Sequence, residues 1–395
     1  MYIKREIEEK WAAKGDQSAK VLIGPRQCGK SSLLMHLKPA SARYVSFDDI
    51  NFRDLAARDP KLFLDQLGDS LIIDEAQYAP SVFPEIKRRI DDHKTNLRAG
   101  RPSREALYWL TGSNRILMDR EVSESLTGRA SYFRLHTFSL WELREAGFLP
   151  SIEDMLFRGG WPELWINHDS SWLSYLNDHI DTTLVKDIVR TTSILKVAEF
   201  TRFLRLTAAR IGGVYVASEV AKDAGVRSVT IHEWLSFVER MMYIYVIPAW
   251  ATSLSTRLIK SPKVYFADTA IATRLQGWST IEQVLVSPGI GFLFENIVLS
   301  EIIKTRDNHL RSWEISHYRT KERQEIDFIV HNASNTFAIE CKLSSREAQS
   351  YDPPESARKI KILQHLVVSL DGGIDPPNAK HLSLSQLRDF LLAHL

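Results

Sequence analysis

The sequence holds only two cysteines, Cys28 and Cys341, in 395 residues. Two thiols build neither a disulfide framework nor a cysteine zinc site, so reduced thiols in a reducing compartment are the simplest reading. The chain also lacks a charge imbalance. Its 51 Lys and Arg against 49 Asp and Glu leave +2, too little to argue by itself for a nucleic-acid or membrane partner. No run reaches the roughly 18–20 apolar residues that a membrane span needs. The longest candidate, Met241 to Trp250, is short and contains Pro248. Met1 to Lys10 alternates Lys, Arg and Glu without an apolar centre, so no export signal is expected and the cytoplasm is the expected location. Repeats and low-complexity tracts are missing too. What is there is an ordinary globular composition, 44% hydrophobic and 25% charged, which excludes global disorder. At roughly 150 residues per domain the length suggests two or three domains.

The strongest signal lies near the start. Lys20-Val21-Leu22-Ile23 is a short run of strand type, and Ser32 to Leu37 has helical character. Between them stands Gly24-Pro25-Arg26-Gln27-Cys28-Gly29-Lys30-Ser31, the G-x-x-x-x-G-K-S phosphate loop in its strand–loop–helix setting. Glycines let the backbone turn tightly, so that its N–H groups surround a polyphosphate at a helix start. The expected nucleotide contacts are Gly24 through Ser32. Lys30 would reach the β and γ phosphates, and the Ser31 hydroxyl would ligate Mg²⁺.

A second motif follows. Ser70-Leu71-Ile72-Ile73-Asp74-Glu75 reads as a buried strand ending in two acids, and an acid at the tip of a parallel strand faces the ligand crevice of an open α/β sheet. Asp74 suits the Mg²⁺ shell; Glu75 suits orienting and deprotonating the attacking water. Arg43 to Phe47, Ala106 to Leu110 and Tyr132 to Leu135 read as further strands. The polar end of the second of these would lie between the two motifs, where Asn114 or Thr111 meets the γ-phosphate or the water. The alternation predicts a parallel sheet with helices on both faces.

The stretches Gly24–Ser31, Leu71–Gln77 and Leu110–Asn114 resemble those of AAA-type P-loop ATPases. More narrowly, the chain resembles a prokaryotic family of AAA ATPases that carry a C-terminal domain of unknown function. The matching stretches include Ser125-Leu126-Thr127-Gly128-Arg129, Arg158-Gly159-Gly160-Trp161-Pro162-Glu163 and Lys260 to Thr269. The resemblance implies ATP and Mg²⁺ as cofactors, Asn114 in the sensor position and Arg129 as an arginine finger. A finger acting on a neighbour implies a homo-oligomer. The alternative for Arg129 is a local ion pair, and Arg26 and Arg115 are further finger candidates.

Leu140 to Arg190 carries Leu, Trp and Phe at helical spacing and is expected as a helical lid, with Trp141, Trp161, Trp165 and Trp172 as core anchors. Ala217 to Gly225 and Val229 to Met241 read as two helices joined by a glycine turn, with Ser228 as a cap and Tyr243 to Ile247 and Lys263 to Phe266 as wing strands. This predicts a winged helix. Its second helix offers few phosphate contacts, and Glu233 and Glu239 oppose them, so DNA and protein both stay open as partners. At the rear, Asp327 on one strand and Glu340 with Lys342 on the next give D…E-x-K. Residues two apart on a strand share a face. The group resembles the PD-(D/E)xK nuclease superfamily, which implies Mg²⁺ or Mn²⁺ on Asp327 and Glu340, water activation by Lys342 and a further acid, Glu295, from the preceding helix. Asp352 to Leu395 reads as a helical and loop tail.

The expected architecture is therefore α/β: an AAA-type ATP-binding domain over 1–138, a lid over 139–192, a winged helix over 193–278 and a small restriction-endonuclease-like domain over 279–395. Three functions fit it: an ATPase that drives its rear domains, an ATP-gated DNA endonuclease, and a slow nucleotide switch that binds protein.

Overall fold

Strand β1 (Ala19–Ile23) is buried along its whole length, because it lies inside a sheet covered on both faces, where strands read as continuous apolar runs. Its neighbours are β2 (Arg43–Ser46), β3 (Ser70–Asp74), β4 (Leu107–Gly112) and β5 (Ala130–Arg134), all parallel, in the order β2-β3-β4-β1-β5. The computed structural model describes residues 1–13, 19–102, 107–112, 125–167, 169–186, 188–189, 194, 196–251 and 261–395. They form two units, Met1–Thr137 with Asp307–Leu310, and Phe138–Arg306 with Arg311–Leu395.

In the first unit the helices Lys30–Leu37, Ile50–Arg58, Pro60–Leu67 and Val82–Arg98 connect the parallel strands. Lys20, in the middle of β1, is 5% exposed. It is tolerated there because its ammonium donates to the Trp11 carbonyl at 2.6 Å and lies 5.4 Å from the Trp11 ring. Trp11 in turn packs edge-on against Trp109 at 5.1 Å.

The second unit opens with short helices: Leu140–Glu145, Ile152–Phe157, Pro162–Ile166 and Trp172–Asp178. The segment expected as a lid thus packs inside the second unit. Its Gly159-Gly160 pair meets the Asp268 of the later motif. Gly160 N donates to Asp268 Oδ2 at 2.9 Å, and a Cβ on Gly159 (φ 56°) would lie 1.9 Å from Asp268 Oδ1. Asn296 pairs with both backbone groups of Phe266 and donates to Thr269. These motifs, opaque in the sequence, are a polar clamp that closes the unit.

Next come the helices Val197–Ala208, Ala217–Ala224 and Ser228–Arg240, then the antiparallel pair β6 (Ile244–Ile247) and β7 (Lys263–Phe266). Val214, between the first two helices, bridges antiparallel to Lys263. Gly225 ends its helix in the left-handed conformation that favours glycine (φ 74°). The following helix starts at Ser228, one residue earlier than expected. Arg227 is the cap residue, and no side chain caps that end.

The second sheet has the order β12-β11-β10-β9-β8. Strands β8 (Glu314–Arg319), β9 (Glu325–His331) and β10 (Thr336–Cys341) are antiparallel, whereas β11 (Gln364–Ser369) and β12 (Lys380–Ser383) add in parallel. The tail after Asp352 is therefore more than helix and loop. It supplies two strands, one of them with the buried run Leu366-Val367-Val368. That run is only three residues long, too short to mark a strand by periodicity. No helix among the described residues is long and apolar enough to cross a membrane.

Candidate functional site

The phosphate loop follows β1 directly. A Cβ on Gly24 would meet the Leu135 carbonyl oxygen at 2.2 Å, so that position needs glycine for space. Gly29, with φ 99° just before the helix Lys30–Leu37, needs it for conformation. Cys28 is buried and its thiol donates to the Leu135 carbonyl at 3.4 Å; burial pushes this thiol up. The Lys30 ammonium folds onto the carbonyls of Gly24 and Pro25 at 3.0 and 2.9 Å.

The second motif arrives because β4 lies between β1 and β3, with Leu22 opposite Thr111 and Ile73 opposite Leu110. The Ser31 hydroxyl donates to Asp74 Oδ2 at 2.6 Å. Glu75 begins the turn after β3 in the left-handed region (φ 52°), unusual for a side chain with a Cβ. Its amide donates to Asp74 Oδ1 at 3.0 Å, and its carboxylate accepts from Gln77 Nε2. Thr111 is fully buried, and its hydroxyl has no hydrogen-bond partner among the described residues.

Three residues that the motifs did not single out belong to this site. Tyr44 on β2 donates to the same Asp74 oxygen as Ser31, at 2.5 Å. Burial, then the Asp74 bond, raises its phenol. Asp48 is pushed up by burial and by the neighbouring Glu75 and Asp74. Arg5, 3% exposed, donates to the carbonyls of Cys28 and His136 at 2.9 and 2.7 Å and so braces the loop from behind. The Asp48 next to Asp49 after a strand was a visible hint; nothing local marked Arg5.

Residues 16–144 match the AAA domain family. The chain carries an AAA-type P-loop ATPase domain. Residues 149–282 and 290–372 match two domains of unknown function, DUF8612 and DUF4143, so this ATPase domain is followed by further regions. Two proteins described as uncharacterized, from Mycobacterium tuberculosis and Mycobacterium bovis, are each 28% identical over 331 residues, covering 82% of this chain and 70% of theirs. Among solved structures, a Walker-type ATPase of Pyrococcus abyssi is 16% identical over 70% of this chain and 96% of its own, with a TM-score of 0.45. The ADP form of the Aeropyrum pernix ORC2 protein is 11% identical over 70% and 92%, with a TM-score of 0.29.

Asn114 and Arg115 lie outside the described residues. Arg129 is engaged locally: its Nε and Nη2 donate to the two Asp91 oxygens at 2.6 and 2.8 Å. This is the ion-pair alternative. Arg26 Nη2 donates to Tyr78 at 3.3 Å.

The rear residues do gather, but not around a cation site. Phe328 on β9 opposes Ile339 on β10, which brings the neighbouring Asp327 and Glu340 together. Asp327 accepts from the Cys341 amide at 2.8 Å, and Glu340 pairs with Lys342 at 2.7 Å. Glu295 accepts from Tyr265 and from Lys263, the latter at 3.0 Å. Burial and Asp327 push Glu295 up to about 8 and Glu340 up to about 7. Among the described residues no group of three or more His, Cys, Asp or Glu is gathered to hold a metal ion. The Mg²⁺ or Mn²⁺ expected at Asp327, Glu340 and Glu295 thus has no such gathering behind it: Lys263 engages Glu295 and Lys342 engages Glu340 Oε1, while Asp327 meets only a backbone amide and Glu340 Oε2 is buried without a partner among the described residues.

Proposed function

We propose that the chain is a Mg²⁺-dependent ATP hydrolase whose nucleotide state controls its C-terminal regions. The observation that carries this is the 2.6 Å contact between Ser31 and Asp74, which brings the last residue of the phosphate loop and the acid of the second motif to one point. The Ser31 hydroxyl and the Asp74 carboxylate are oxygen ligands of the kind Mg²⁺ takes, and they would hold an ion that neutralises charge on the β and γ phosphates. Lys30 rests on loop carbonyls and is ready to exchange them for phosphate oxygens. Glu75, held by its own turn and by Gln77, takes the proton of the attacking water. Thr111, whose buried hydroxyl has no partner among the described residues, and Asn114 serve the γ-phosphate side. ATP turnover and nucleotide binding measured on Lys30→Ala test the site: both should be lost, and undiminished turnover refutes it.

For the rear regions, the helices Val197–Ala208, Ala217–Ala224 and Ser228–Arg240 with the Val214 bridge and β6–β7 support a winged helix within 193–278. The mixed sheet β8–β12 supports a restriction-endonuclease-like fold within 279–395. We read both as binding modules that respond to the ATPase domain over 1–138. Lys222, Arg227, Glu233 and Glu239 are all exposed, a balance that leaves DNA to be tested directly. An ATPase rate that rises with added duplex, and whose rise falls with salt, favours a nucleic-acid partner. A rate indifferent to DNA favours a protein partner.

A further inference from the structure

Asp74 is 6% exposed, and a carboxylate so buried needs hydrogen-bond partners from the chain around it. Its Oδ2 receives two hydroxyls, Ser31 Oγ at 2.6 Å and Tyr44 Oη at 2.5 Å, and its Oδ1 receives the Glu75 amide at 3.0 Å. Two of these donors have work of their own at the nucleotide. Ser31 offers its hydroxyl oxygen to Mg²⁺, and Glu75 faces the attacking water. Among the described residues, Tyr44 is the donor to Asp74 with no such second task.

The sheet explains why a tyrosine reaches this point. Strands β2 and β3 are parallel, with Ser46 opposite Asp74 and Tyr44 opposite Ile72. Residues two apart on a strand share a face, so Tyr44 lies on the face of Ser46, one step further from the strand tip. Ser46 stands directly opposite Asp74, but its hydroxyl oxygen accepts the Asp48 amide at 3.1 Å and closes its own turn. The longer Tyr44 side chain spans the extra step. Its ring is packed, half-buried, against the core cluster that contains Leu33, Leu34 and Ala42. Packing holds the ring, and the ring holds the hydroxyl where the carboxylate needs it.

We propose that Tyr44 is a positioning residue for the Mg²⁺ ion: its hydroxyl pins Asp74 Oδ2 beside Ser31 and so keeps the carboxylate in one orientation while Ser31 serves the ion. The inference rests on the ATPase reading and names the residue that prepares its metal site. Groups that hold a metal ligand from behind are typically worth about 10–100-fold in metal affinity.

The test uses the full chain and a fluorescent ATP analogue, whose affinity is measured in EDTA and then at rising Mg²⁺. The quantity read is the Mg²⁺ concentration that gives half of the gain in affinity, so no turnover enters. Tyr44→Phe removes the hydroxyl and keeps the ring with its packing. That concentration should rise about 10-fold or more in Tyr44→Phe, while affinity in EDTA stays within about threefold of native. A native protein whose affinity does not respond to Mg²⁺ sinks the ATPase reading and the role of Tyr44 with it. A native response that Tyr44→Phe reproduces, with or without a lower melting temperature in EDTA, overturns the role of Tyr44 alone and leaves the tyrosine a packing residue.

Discussion

Replacing Glu75 by glutamine should separate chemistry from folding and binding. Glu75 holds a left-handed backbone (φ 52°) at the tip of β3, a conformation that costs a residue with a Cβ about 1–2 kcal/mol. Glutamine keeps that cost, keeps an oxygen for Gln77 Nε2, and keeps the amide bond to Asp74. Stability should therefore change by less than about 0.5 kcal/mol. What glutamine loses is the ability to accept a proton. A positioned base contributes typically about 10²–10⁴-fold, or about 3–5 kcal/mol of barrier. Phosphate release at saturating ATP should fall by that factor while nucleotide affinity, read with a fluorescent ATP analogue, stays within about threefold. Glu75→Gly offers a control. It relieves the backbone cost but adds about 0.5–1 kcal/mol of chain entropy and loses the Gln77 bond, worth about 1 kcal/mol. It should fold about as well and be equally inactive. If Glu75→Gln turned over ATP at the native rate, Glu75 would not be the base, and the strain at its backbone would have no catalytic explanation.

Gly159→Ala should lower the denaturant midpoint by the equivalent of roughly 3 kcal/mol or more, because its Cβ would lie 1.9 Å from Asp268 Oδ1 and break the charge-assisted bond to Gly160; a midpoint unchanged would show that the clamp is slack. Arg129→Ala and Asp91→Ala should lose similar, small amounts of stability, about 1 kcal/mol, for a half-buried surface pair. If Arg129 is also a finger, only Arg129→Ala loses turnover, and equal turnover in the two variants excludes that role. Glu295 keeps its proton in the folded state up to about 8, whereas unfolded it releases the proton near the ordinary carboxylate value. Between those values the folded state binds more protons, so stability falls as pH rises from about 4.5 to about 8, on the order of a few kcal/mol. Comparing the pH dependence of melting with that of Glu295→Gln checks this, since the variant should lose the slope.

The phosphate loop was legible in the sequence because its chemistry is local. Glycines, Lys30 and Ser31 act within one turn of chain, and a strand and a helix bracket them visibly. The acid pair at Asp74 and Glu75 was legible for the same reason, and so was a parallel sheet with the polar end of β4 between the two motifs; the full strand order came from the structure. Tyr44, Asp48 and Arg5 were not, since each reaches the site from a distant stretch with no motif of its own. The short strands β11 and β12 escaped as well, their apolar runs being too brief to show a period.

By itself, then, the sequence determined the parts whose function depends on near neighbours along the chain: the loop that turns on Gly24 and Gly29, and the strand tips that end in acids. Only the tertiary structure decided which distant charges meet. Lys263 and Glu295 are 32 residues apart along the chain, and a lysine inside an apolar strand looks the same whether it faces water or the buried side of Glu295 and Glu325. Its effect on the cluster depends on distance and burial, which packing sets and residue order does not display.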